Sequence, residues 1–110
     1  MRESNDIQRW EGLTSNKEGS PLDCSFLRPL TVSCEGTFSG ALVVMEARVG
    51  DKWFPVVDQD GGVLSFADEG IGHIHGEYPY IRPRVQDGSG STSITVSMYC
   101  EIVPKRRLGI

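Results

Sequence analysis

From Leu30 onward, apolar residues recur at every second position. Leu30, Val32, Cys34 and Gly36 alternate with Thr31, Ser33 and Glu35, the signature of a half-buried strand. Ser39-Gly40 interrupts the pattern. Leu42 to Val49 predicts a second strand, with Val43, Met45, Ala47 and Val49 on one face and Leu42, Val44, Glu46 and Arg48 on the other. Gly50-Asp51-Lys52 reads as a hairpin turn. Trp53 to Val57 reads as a short third strand that Pro55 places towards an edge. Asp58-Gln59-Asp60-Gly61-Gly62 is a second turn, and Val63 to Phe66 a fourth strand. Residues 67–77 contain Gly70, Gly72 and Gly76, which predicts mostly loop. Tyr78 to Val85 is extended, because Pro79 and Pro83 each bar the preceding residue from the helical region. Residues 86–91 read as a flexible connection. Ser93 to Val103 then predicts the longest strand, with Ile94, Val96, Met98, Cys100 and Ile102 on one face, and Pro104 ends it.

Residues 1–23 break this rhythm. They are polar apart from Ile7, Trp10, Leu13 and Leu22. The spacing 7, 10, 13 suits a helical turn, but the surrounding Gly, Ser, Asn and Pro favour an extended arm. Such an arm would span roughly 75 Å at full stretch. The predicted organisation is an arm over 1–23, a sandwich over 24–104 and a basic tail over 105–110, with a further strand available within 22–28. Short strands between Gly, Pro and Asp turns, with no convincing helix, predict an all-β fold. It is a small antiparallel β-sandwich, either a jelly roll or immunoglobulin-like, with strand order open.

Composition narrows the function more than the fold. At 110 residues the chain is one domain, able to bury roughly 65% of its unfolded surface. Its net charge of −4 argues against coating nucleic acid. No apolar run approaches the ~20 residues of a membrane helix. No apolar stretch follows Met1–Asp6, which predicts no secretory signal. With 3 cysteines and no Cys-x-x-Cys, the expectation is reduced thiols in a cytoplasmic setting and no structural zinc. No P-loop, Gly-x-Ser-x-Gly, His-Glu-x-x-His or Rossmann glycine pattern is present, so no enzyme activity and no cofactor is expected.

A few residues are candidates for chemistry. His73 and His75 would share a strand face, yet only Glu69 or Glu77 offers a third metal ligand nearby, so exposed loop histidines are the simpler reading. Asp58-Gln59-Asp60-Gly61-Gly62 resembles the start of a calcium loop, but a β-turn explains the same residues. Cys34 and Cys100 fall on inward faces, as buried thiols or, if their strands are neighbours, as a disulfide. Tyr78, Tyr80, Arg82 and Arg84 line one face of a strand. Two aromatics and two guanidiniums suit a protein interface, a sugar or base platform, or a solvated face with cross-strand pairs. Lys105-Arg106-Arg107 is either a solvated tail or a dock for an acidic neighbour.

Several short motifs follow one another in a telling order. They are Glu35-Gly36-Thr37-Phe38-Ser39-Gly40-Ala41 leading into Val43 and Met45, Leu64-Ser65-Phe66 after a Gly-Gly turn, Tyr80-Ile81-Arg82-Pro83, and Gly88 to Val96. The order resembles the capsid-decorating, or staple, proteins of short-tailed bacteriophages of the epsilon-fifteen-like Salmonella phage type, over about residues 10–103. The resemblance implies a jelly roll and a homodimer. It also implies a place on the outer surface of an icosahedral shell at its two-fold positions, after assembly in the host cytoplasm. The partner is then the major capsid protein, with no nucleic acid and no membrane, and there are no catalytic residues to carry over. On this reading Ile7, Trp10 and Leu13 of the arm, with Arg106 and Arg107 of the tail, contact the capsid. Two other expectations stand beside it. One is a carbohydrate-binding or host-adsorption module using Tyr78, Tyr80 and Trp53. The other is a small metal-dependent enzyme around His73 and His75.

Overall fold

The computed structural model describes residues 3–24, 30–76 and 78–102. The strands are β1 (Glu3–Leu13), β2 (Leu22–Asp23), β3 (Leu30–Thr37), β4 (Ala41–Val49), β5 (Lys52–Pro55), β6 (Ser65–Phe66), β7 (Gly70–Ile74), β8 (Tyr80–Asp87) and β9 (Ser93–Ile102). All pairings between them are antiparallel. One sheet has the order β1-β9-β3-β7; the other has β2-β8-β4-β5, with β6 also paired to β4. The late strands β9 and β8 insert between the early pairs β1/β3 and β2/β4. This interleaving is the double Greek key of a jelly roll and decides against the immunoglobulin order.

The core follows from the alternation in the sequence. Val32 and Cys34, then Val43, Met45 and Ala47, then Ile81 and Val85, then Ile94, Val96 and Met98 point inward and are buried. Register stacks them, with Val43 opposite Val85, Ala47 opposite Ile81 and Cys34 opposite Val96. Each such valine, isoleucine or methionine contributes about 1.5–3 kcal/mol of burial. Phe38, Val56, Leu64, Phe66 and Ile74 close the ends.

The arm expected over residues 1–23 is replaced by a strand and a strap. β1 pairs along β9 from Glu3↔Ile102 to Leu13↔Ile94. Its register slips between Asp6 and Gln8 and again between Trp10 and Leu13. At the second slip three steps on β1 face two on β9, and Gly12 takes the extra residue at φ 66°. Trp10 and Leu13 therefore share a face despite an odd spacing. Trp10 is only 5% exposed, and its indole Nε1–H donates to the Ser20 carbonyl at 2.9 Å. Residues 17–24 then run beside β8. Val85 N–H donates to Lys17 O (2.7 Å), Gly19 N–H to Pro83 O (2.8 Å) and Cys24 N–H to Pro79 O (2.8 Å). Pro83 lacks an N–H on this side of β8, which is tolerable because β2 contributes only two paired residues there.

Three further expectations change. The segment 67–77 contains the strand β7, not only loop, and it pairs with β3 from Leu30↔Ile74 to Cys34↔Gly70. The glycine signal there reports close approach: a Cβ on Gly72 would lie 2.6 Å from Leu64 Cδ1. β1, with 11 residues, is longer than β9, with 10. The connection expected to be flexible is pinned by Thr92, whose buried hydroxyl accepts from Ser89 N–H (2.9 Å) and donates to Phe38 O (3.0 Å). Residues 25–28, Val103, Pro104 and the basic tail lie outside the described residues.

Candidate interaction surface

The outward face of the β2-β8-β4-β5 sheet collects charge and aromatic rings. Antiparallel register places Glu46 of β4 opposite Arg82 of β8, and Arg48 opposite both Tyr80 of β8 and Trp53 of β5. Glu46 is 6% exposed and holds two arginines, one on each carboxylate oxygen. Arg82 Nε donates to Oε1 at 3.1 Å and Arg84 Nε to Oε2 at 2.8 Å. Arg84 also donates to Gln86 Oε1 at 3.1 Å, fixing its plane. Glu18 approaches Arg82 at 3.6 Å from an exposed position, where an ion pair contributes little.

Rings and guanidiniums interleave beside this cluster. The Arg82 guanidinium lies 4.0 Å from the centre of the Trp53 ring. Arg48 lies 4.3 Å from the Tyr80 ring and 5.9 Å from Trp53. The result is a continuous stack, Tyr80–Arg48–Trp53–Arg82, across three strands. Arg48 has no carboxylate partner among the described residues. Tyr, Trp and Arg held rigid on a half-exposed sheet are the side chains that dominate protein–protein binding energy.

Of the row expected from sequence, the structure brings Tyr80, Arg82 and Arg84 together and leaves Tyr78 out. β8 begins at Tyr80, and Tyr78 turns to pack against the core. Glu46, Arg48 and Trp53 join the site instead. Their signal was present in the outward parity of β4 and in the short Gly50-Asp51 turn, which sets Arg48 opposite Trp53. The residues expected as open sugar platforms, Trp53 and Tyr80, already stack on guanidiniums.

The other candidates are scattered. His73 Nδ1 lies 3.2 Å from Thr31 Oγ1, and both histidines are exposed. No three His, Cys, Asp or Glu side chains converge on a metal-binding geometry among the described residues. Asp58 Oδ1 accepts Asp60 N–H (2.8 Å) and Gly62 N–H (3.1 Å), so its carboxylate closes its own turn. β3 and β9 are neighbours, but Cys34 faces Val96 while Cys100 faces Leu30. That four-residue offset is about 13 Å along the strand and rules out the disulfide considered from sequence. Burial pushes the Cys34 thiol up to about 12. Burial, reinforced by the Asp23 charge and opposed by a hydrogen bond at the Ile81 backbone, pushes Cys24 up to about 11. Neither thiol is a nucleophile at neutral pH.

The expected capsid contacts also change. Trp10 belongs to the core and is not available to a partner, while Leu13 packs half-buried against it. Ile7 sits in β1 at the first register slip. Arg106 and Arg107 lie outside the described residues.

The fold is shared with a known protein. The chain is similar to the SPBc2 prophage-derived protein YomS, seen in a crystal structure, with a TM-score of 0.66 and 15% identity, over 93% of this chain and 96% of that one. At that identity the likeness is one of fold. No protein-family model matches the chain, and no curated protein matches it significantly.

Proposed function

We propose that the chain is a non-enzymatic phage structural protein that decorates the outer surface of an assembled icosahedral shell. It binds the major capsid protein as a homodimer at two-fold positions and stabilises the shell against internal DNA pressure. The observation that supports this most is the jelly roll itself. It is similar over 93% of this chain to a prophage-derived protein, and it carries the ordered motifs that resemble capsid-decorating proteins. A rigid sandwich with a hot-spot face suits a binder of a fixed lattice. Binding only the assembled shell stabilises that state by linkage. A dimer engaging several subunits gains affinity from effective concentration, and an isologous dimer matches a two-fold site. With residues 3–13 committed to the sandwich, shell contact falls to the sheet face and, in this proposal, to Arg106 and Arg107.

The test is the composition of gradient-purified phage particles by quantitative mass spectrometry. A copy ratio to the major capsid protein compatible with the lattice is expected. A handful of copies, or none, would overturn the reading.

A further inference from the structure

We infer that the β4–β5 hairpin is the part of the chain that enters the shell, and that Arg48 grips a carboxylate of the capsid protein there. This inference rests on the capsid-decorating role proposed above. Three arginines share the sheet face, and two of them, Arg82 and Arg84, are neutralised by the one buried carboxylate of Glu46. Arg48 is not. It is a half-buried cation whose plane is set by Tyr80 and Trp53. A half-buried cation without a counter-ion is costly, and a partner's carboxylate would offset that cost. The rings have already removed much of its rotamer freedom, so little more is lost on binding.

The reverse side of the same hairpin exposes two large apolar side chains beside Lys52, which pairs with Val49. Val49 is 56% exposed and Phe54 49%, although both have the parity of the inner face. A strand pair with a fixed cation on one side and two exposed apolar side chains on the other fits a groove, not a flat surface. One wall of that groove carries an acidic side chain and the other is apolar. Charge complementarity supports an acidic partner. Arg48 and the exposed Lys52 both lie on this hairpin, in a chain whose net charge is −4.

The experiment uses purified shells lacking this protein and the full-length chain, with bound chain measured by co-sedimentation. The variants are Arg48→Glu, Arg48→Gln and Phe54→Ser, with Arg9→Gln on the opposite sheet as control. Circular dichroism and the thermal midpoint establish folding, and Arg48→Gln, which removes the charge without reversing it, serves should the charge reversal not fold. Arg48→Glu is expected to weaken binding roughly tenfold or more, with smaller losses for Arg48→Gln and Phe54→Ser and none for Arg9→Gln. Wild-type binding that both Arg48 variants match within about twofold would overturn the inference and leave the capsid role standing. Wild-type chain that leaves shells bare would overturn the capsid role and this inference with it. Loss of the dimer on Arg48→Glu in light scattering, with shell occupancy intact, would assign the face to a second copy and overturn the inference.

Discussion

Glu46 shows how one side chain organises a surface. Its carboxylate is nearly buried and is shared by two guanidiniums that would otherwise repel one another. Glu46→Gln keeps the shape and removes the charge, leaving two cations side by side. Arg84 is about a third exposed, so solvent screens part of the effect. The expected loss is about 2–3 kcal/mol, read from the urea unfolding midpoint. A smaller loss in the Glu46→Gln/Arg84→Gln double variant would show that the repulsion is the cause. The buried thiols make stability depend on pH. Cys34 and Cys24 have folded values raised from 9.0 to about 12 and about 11. Their protonated form is favoured in the fold, so the stability they contribute is intact below pH 9. It is lost as pH climbs through that window, because the unfolded chain releases its protons first. Unfolding midpoints measured from pH 8 to pH 11 should fall, and Cys34→Ala should flatten the fall.

At the scale of elements, alternation carried the reading wherever the ladder is regular. β3, β4 and β9 stand where period two placed them, and Pro55 does lie in an edge strand. β1 was hidden because its two register slips turn a strand period of two into spacings of three. β7 was hidden because Gly72 marks tight packing on Leu64 and Phe66 instead of a turn. The site was half legible for a related reason. Tyr80, Arg82 and Arg84 lie in one strand and can be read from period alone. The short Gly50-Asp51 turn sets Arg48 opposite Trp53, but placing Glu46 and Arg48 beside Arg82 and Tyr80 depends on the register of β4 with β8, strands far apart in sequence, which no local pattern specifies. The revised role of β1 is directly testable. Trp10→Ala should cost about 3–5 kcal/mol in urea unfolding, a large share of a small domain's stability. A mobile arm would instead leave the midpoint unchanged.

For the whole molecule, charge and shape are segregated. The chain extends 54 × 31 × 25 Å. Arg48, Arg82 and Arg84 gather on the outer face of one sheet, while Asp58 and Asp60 lie in a turn beside one end of β7, an edge of the other sheet, and Asp68 and Glu69 in the turn that enters its other end. Such a distribution orients an approaching partner before contact, and the effect weakens with added salt. It also agrees with a reading in which one face binds and the opposite edge stays solvated.

The interleaved strand order has a consequence for biosynthesis. β9 lies between β1 and β3, so the first sheet lacks a central strand until residues 93–102 have left the ribosome. A nascent chain stopped short of them holds β1 and β3 with no neighbour to join them, and both present open edges. The fold therefore completes only after nearly the whole domain has been translated, and premature termination yields an aggregation-prone fragment, not a smaller working protein.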